Sequence, residues 1–494
     1  MMKGLHLSMA VVGAAVLGVA SFVAWADTSP ASAPAASPSV SAERVAGLVA
    51  QLGDDSRERR EQAVRELTRI GLPAVAALRK AAGGGDPEIA AQAATLMNTL
   101  ADSCLRWKAP LPAGLNQGLA ISKDLAIFHG GDKKLHAVSL ADGSEKWTFD
   151  TGLTPHPGNV PLLETLDDVL VFSPWQNDAR RLLAVDLPSG EQLWRHDDRH
   201  ATALVGADYL LCFGRGEDGE YDRMISRLSP TDGQAVWTLD GTKLIEPTSY
   251  PHPIPIPGPD ACLLQFTRPT RANEADKTGW SLAVLEVATG KKRWEKQEFG
   301  GYPYSYDIAG GRLYCVYDEA NNRPGVPERV RVRVFDFADG TEVETKLDID
   351  AKAIHPGFHA VVKVAGETLL YGATKYQIAA YDVASGKEMW RHVMRGTGGQ
   401  TVRMTNPPWH HATMAVHEGH VLLADPDALV ALDLKTGKPL WRYPVAAGIA
   451  AGPVVREGVV YFLSGGEDKR QATAPASCHL YALDLDKVRQ FGAD

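Results

Sequence analysis

Four places in this 494-residue chain set histidine beside proline or beside a second histidine: His156-Pro157, His252-Pro253, His355-Pro356 with His359 close behind, and Trp409-His410-His411. Imidazole changes charge near neutral pH and is a common metal ligand, so rings converging from several loops suit a metal ion or an anionic group. No tight spacing fixes a ligand set. The plainer reading of the same His-Pro pairs is as loop ends whose rings face solvent, and both readings stay open. A different pair, His417 and His420, flanks the turn Glu418-Gly419 and reads as an exposed hairpin end.

Other chemistry finds less to work with. The five cysteines, Cys104, Cys212, Cys262, Cys315 and Cys478, are odd in number and no two adjoin. Cys212 in YLLCF and Cys315 in RLYCVY sit in apolar runs, where a small buried thiol is expected. The chain has no Gly-x-Ser-x-Gly, no P-loop and no His-Glu-x-x-His. A net charge of -9 with no basic block argues against a nucleic-acid surface. Hydrophobic residues make up 45%, enough for a large core.

The elements that must hold these residues are announced by a repeat. A glycine is followed four residues later by tryptophan at Gly143 and Trp147, Gly190 and Trp194, Gly233 and Trp237, Gly290 and Trp294, Gly386 and Trp390, and Gly437 and Trp441. Gly340 leads instead to Glu344. Upstream the match continues with a small or apolar residue and then an acceptor, as in Ala137 with Ser139, Ala184 with Asp186, Ala380 with Asp382 and Ala431 with Asp433. The unit reads Ala-x-Asp-x-x-x-Gly-x-x-x-Trp.

A period of about 40 to 50 residues marks a unit that cannot bury its own apolar face and must stack on copies of itself. Within each unit LLAVDLPSGEQLW alternates, turns at Ser189-Gly190 and resumes, which is a hairpin with glycine at positive φ. A second hairpin precedes it, as in VKVAGETLLYG and VVREGVVYFL. Two hairpins make one four-stranded antiparallel propeller blade. The final LYALDLD strand lacks a partner after it, while CLRWKAPL around Trp107 is a fourth strand without a blade. Pairing them closes a ring of eight blades and removes both open edges. In that register Cys104 falls opposite Asp484, roughly 20 Å along the strand from Cys478, so no disulfide is expected between them.

These repeats resemble the pyrroloquinoline-quinone-like propeller repeat of quinoprotein dehydrogenases and of BamB-type propellers of outer-membrane assembly, over residues 102–494. The resemblance implies an all-β eight-bladed propeller. Read from the residues alone, each tryptophan is a flat wedge between twisted blades, burying roughly 150 to 250 Å². Quinoproteins of this kind hold pyrroloquinoline quinone against a disulfide of neighbouring cysteines and bind calcium through Glu, Asn and Asp beside a catalytic Asp. This chain has no Cys-Cys pair, and its sequence places no such ligand set.

The N-terminal part is of another kind. Residues 1–26 combine one lysine, an apolar stretch and Ala24-Trp25-Ala26, the make-up of a secretory signal peptide cleaved after Ala26; an uncleaved membrane anchor is the alternative. Residues 27–40 are a Pro/Ala/Ser tether. Over residues 41–101 the period shifts to about 3.6, with a Gly71 stop and an Asp86-Pro87 start, which predicts four short helices similar to a pair of HEAT-type repeats. So few residues bury little, so the helices are expected to dock on the propeller or on a partner.

Taken together the sequence predicts an exported, periplasmic or extracellular, non-enzymatic scaffold that binds envelope proteins and no nucleic acid, with no catalytic residue and no cofactor of its own. Membrane contact is expected only if residues 1–26 are retained. The alternative is a quinoprotein dehydrogenase using pyrroloquinoline quinone and calcium. The long loops Asp150 to Val160, Pro247 to Pro259, Thr267 to Gly279, Glu319 to Arg329, Arg395 to Trp409 and Ser464 to Ser477 emerge on one face, where binding is expected.

Overall fold

The computed structural model describes residues 40–114, 116–155, 162–176, 179–197, 199–200, 209–214, 224–244, 250–257, 260–267, 280–299, 302–318, 330–349, 361–373, 377–393, 414–425, 428–445, 448–465 and 478–492. Eight four-stranded antiparallel arrays follow one another along the chain, the fifth carrying an extra short strand. Blade 1 opens with Gln117–Ser122 and ends with Glu145–Asp150, and blades 2 to 7 repeat that order of strands up to Pro439–Pro444. Blade 8 combines Ile449–Arg456, Val459–Ser464 and His479–Asp484 with Leu105–Pro110 from the other end of the propeller sequence.

Ring closure follows the predicted register. Trp107 lies opposite Ala482, as Trp147 lies opposite Ala137 and Trp441 opposite Ala431. The Asp484 N–H donates to the Cys104 carbonyl at 2.9 Å, while the Leu111 N–H donates to the Cys478 carbonyl at the far end of the pair. No disulfide joins the two cysteines.

The helices are α1 (Ala42–Ala50), α2 (Arg57–Ile70), α3 (Val75–Ala82) and α4 (Pro87–Asp102). The Asp86 carboxylate caps α4 by accepting from Glu88 and Ile89 N–H at 2.9 and 3.1 Å, and Gly71 at φ 76° ends α2. Leu52, Leu67, Leu78 and Leu96 bury their faces together, and the same apolar cluster runs on through Trp441, Tyr443, Phe462 and Leu483 of blades 7 and 8. The helices are therefore docked on the propeller.

One element departs from the sequence reading. LYALDLD is strand only as far as Asp484, and Leu485–Gly492 form a fifth helix, α5. Leu485, Val488 and Phe491 recur at helical spacing and are buried, the last edge-on to Tyr443 with ring centroids 6.1 Å apart. Arg79 of α3 donates to the Phe491 carbonyl at 2.7 Å, so α5 bridges the helices and the ring.

Candidate functional site

The repeat motif is the hardware of the seams between blades. In six blades, and again in blade 8 at Leu105/Trp107, the last two strands slip by one residue, and this bulge sets the tryptophan on the face that meets the next blade. The indole N–H then donates to a carbonyl across the seam: Trp107 to Leu140 at 2.7 Å, Trp147 to Leu187 at 2.8 Å, Trp194 to Pro230 at 2.6 Å, Trp237 to Val287 at 2.8 Å, Trp294 to Phe337 at 2.9 Å and Trp390 to Leu434 at 2.9 Å. The ring lies flat on the next blade's turn glycine, where a Cβ at Gly190 would sit 2.7 Å from Trp147. That glycine also holds φ 76°, so steric room and backbone conformation both demand it. The Asp position closes the same turn, for Asp382 accepts from Ser385 N–H at 2.7 Å and Asp433 from Thr436 N–H at 2.7 Å.

Two seams break the pattern. Between blades 7 and 8 the chain has no turn glycine to offer, and Gly492 of α5 lies on Trp441 instead. Leu485, which stands where other blades supply the acceptor carbonyl, begins α5, and the Trp441 indole N–H has no acceptor among the described residues. Helix α5 also reaches the His417/His420 turn through an Arg489–Glu418 ion pair of 2.9 Å; Glu418 and Gly419 stay exposed, while the flanking His417 and His420 are half-buried and line a crevice with Trp441 and Leu485. The expectation of an exposed hairpin end holds for Glu418-Gly419 and is corrected for the two histidines.

Between blades 5 and 6 the departure leaves space. Glu344 stands at the tryptophan position, and here the pairing runs Phe335 to Glu342 and Val334 to Val343 without a bulge. The chain then leaves the ladder at 344–347 and returns with Asp348–Ile349 against Val330 and Arg331. The Lys346 carbonyl takes the place over Gly386, 2.1 Å from where a Cβ would lie, and Leu347 is buried beside it. Outside that plug remains a cleft of about 440 Å³ lined by Tyr314, Val334, Val343 and Val383, with Arg312, Glu344, Lys346 and Glu367 exposed around it. It opens beside the short turns Gly366-Glu367 and Val383-Ala384.

Of the sequence-derived histidines, His156, His355, His359, His410 and His411 lie outside the described residues, as does most of the long-loop face. His252 falls inside the first strand of blade 4, opposite Gln265 in the ladder, rather than ahead of that strand. Among the described residues no group of His, Cys, Asp and Glu is arranged to hold a metal ion. Cys212, Cys262 and Cys315 are buried on separate blades, and burial pushes the Cys262 thiol up to about 12. His136 is clamped between Asp132 at 2.9 Å and Glu145 at 3.1 Å and stacks on Phe128.

Sequence reasoning missed two titrating groups. Burial lowers His129 to about 4; its Nε2 reaches the Thr151 hydroxyl at 3.1 Å, and Nδ1 has no partner among the described residues. Glu164, on the first strand of blade 2, shares a face with Leu162 and Leu166, which pack toward blade 3, and burial pushes it up to about 7. A carboxylate on the same face of the strand as Leu162 and Leu166 in LLETL was the available signal.

Residues 81–205, 222–406 and 374–487 match the family described as outer membrane protein assembly factor BamB. A search of curated protein sequences finds no match. Among solved structures the chain is similar to a quinohemoprotein alcohol dehydrogenase from Pseudomonas putida HK5, at 13% identity and TM-score 0.51 over 77% of this chain and 76% of that one. It is also similar to the computationally designed Ika8 protein, at 12% identity and TM-score 0.51 over 77% and 99%. BamB from Moraxella catarrhalis aligns at 13% identity and TM-score 0.48 over 76% and 98%. Likenesses at these identities show a shared fold and nothing of activity.

Proposed function

Since the chain belongs to the family of the outer membrane assembly factor BamB, we propose that it is an exported, non-enzymatic propeller that holds protein partners together in the cell envelope. The observation that carries this reading is how the reactive side chains are used. Six tryptophans lock seams through their N–H groups, and the cysteines, on blades 3, 4, 5 and 8, form no disulfide. Quinoproteins of the kind this repeat resembles hold the quinone between a tryptophan and a disulfide of neighbouring cysteines, and this sequence has no such cysteine pair. The likeness to an alcohol dehydrogenase is one of fold, so no specific observation favours the catalytic reading.

Docking of α1–α4 on blades 7 and 8 also favours a scaffold, because it packs a second surface against the ring. The test is to isolate the chain from an envelope fraction after cross-linking and to titrate the purified chain with pyrroloquinoline quinone and calcium. The expected outcome is a defined cross-linked protein partner, a mature N-terminus at Asp27 by mass spectrometry, and neither quinone absorbance shift nor heat of binding. Stoichiometric quinone binding with dye reduction in the presence of an alcohol would overturn the reading.

A further inference from the structure

We propose that the cleft between blades 5 and 6 is a docking pocket for an aromatic side chain, tryptophan foremost, carried by a polypeptide partner. The proposal deepens the reading of the chain as a protein-interaction propeller and rests on it.

The repeat itself shows what this place in the fold is built to receive. At six seams an indole fills the wedge and gives its N–H to the residue after the Asp position. At the seam of blades 5 and 6 that residue is Val383, and it is anchored as elsewhere: its N–H donates to Glu367 at 2.9 Å, as Leu187 donates to Asp168 at 2.7 Å and Leu434 to Gly419 at 2.9 Å. The chain's own indole is missing, because Glu344 occupies its position. The Lys346 carbonyl and Leu347 fill only the inner part of the wedge, over Gly386. The outer part stays open as the cleft of about 440 Å³, inside the roughly 300 to 1,000 Å³ typical of ligand pockets.

The lining selects among occupants. Tyr314, Val334, Val343 and Val383 give an apolar floor, while Arg312 and Lys346 are offset by Glu344 and Glu367 at the rim. Two carboxylates beside two cations give no net attraction for a phosphate or another strongly charged ligand. An uncharged ring flanked by peptide groups suits such a lining, with the exposed Arg312 at the rim suited to meet the ring face. A large aromatic anchor in a pocket rimmed by polar groups is also the commonest form of an energetic centre in protein interfaces.

The experiment titrates the full chain with N-acetyl-L-tryptophanamide and with an uncharged Trp-containing hexapeptide, using its Trp→Ala counterpart as control, by calorimetry and ligand-detected NMR. The wild-type chain should bind both tryptophan probes with a Kd of about 0.1 to 1 mM, an efficiency ordinary for small ligands, and should not bind the alanine peptide. Glu344→Trp places the chain's own indole in the seam, so it should raise Tm and weaken probe binding at least tenfold. Ala384→Phe, which narrows the cleft from the blade 6 side, should weaken binding similarly without that rise in Tm. Absence of binding to the wild-type chain, or binding by both variants as tight as that of the wild type, would sink the proposal. If Glu344→Trp still cross-links to the envelope partner while the probes fail to bind, the scaffold reading stands and the pocket falls. If the probes behave as stated but the quinone-loaded chain turns over an alcohol, the reverse holds.

Discussion

Glu164 carries a clear pH signature among the described residues. Burial raises its folded-state value from an ordinary 4.5 to about 7, so between those limits the folded chain holds a proton that the unfolded chain has released. Stability from this group is therefore greatest at low pH, falls as pH rises from 4.5 to about 7, and is flat above that. Glu164→Gln should remove this slope and stabilise the chain at pH 8 by about 1 to 3 kcal/mol, in line with the 1.36 kcal/mol equivalent of one pKa unit and some discount for partial exposure. Urea unfolding of both chains at pH 5 and pH 8 checks this; parallel pH dependence in the two would mean that Glu164 is not the group responsible.

At the scale of elements, α5 does the work that a Gly-x-x-x-Trp hairpin does elsewhere. Its Gly492 covers Trp441, its Phe491 packs on Tyr443, and its C-terminal carbonyl anchors Arg79 of α3. A chain ending at Asp484 loses three buried apolar side chains, Leu485, Val488 and Phe491, worth about 1.5 to 3 kcal/mol each. The expected result is a propeller that keeps its far-UV dichroism while α1–α4 become open to limited proteolysis, releasing a fragment that spans residues 41–102. Unchanged protease resistance of that fragment would show that the helices hold to the ring without α5.

The whole molecule depends on a blade made from both ends of the propeller sequence. His479–Asp484 pairs with Leu105–Pro110 on one side and with Val459–Ser464 on the other, so deleting 480–494 exposes two strand edges at once. Loss of the single cooperative transition is expected in scanning calorimetry. Trp107→Ala, which removes one seam lock and its bond to Leu140, should cost about 3 to 5 kcal/mol. A deletion chain that melts like the parent would contradict closure by pairing of these ends.

By itself the sequence determined the blade count, the closing register and the start of α4, because each depends on local rules repeated many times. A turn that needs positive φ must carry glycine, a wedge must carry a large flat ring, and a helix start must cap its free N–H groups. Trp107 opposite Ala482 follows from the same spacing as Trp147 opposite Ala137. Helix α5 was not legible, since LYALDLD alternates through Asp486 and only packing against Tyr443 and α3 decides that Leu485 turns helical. Nor was the cleft: Glu344 marked an exception in the string, but whether a missing tryptophan collapses, is plugged or leaves a cavity depends on the lost bulge and on where Lys346 comes to rest against Gly386. The raised Glu164 likewise depends on what blade 3 sets against blade 2. These are contacts between units far apart in the chain, and no local rule encodes them.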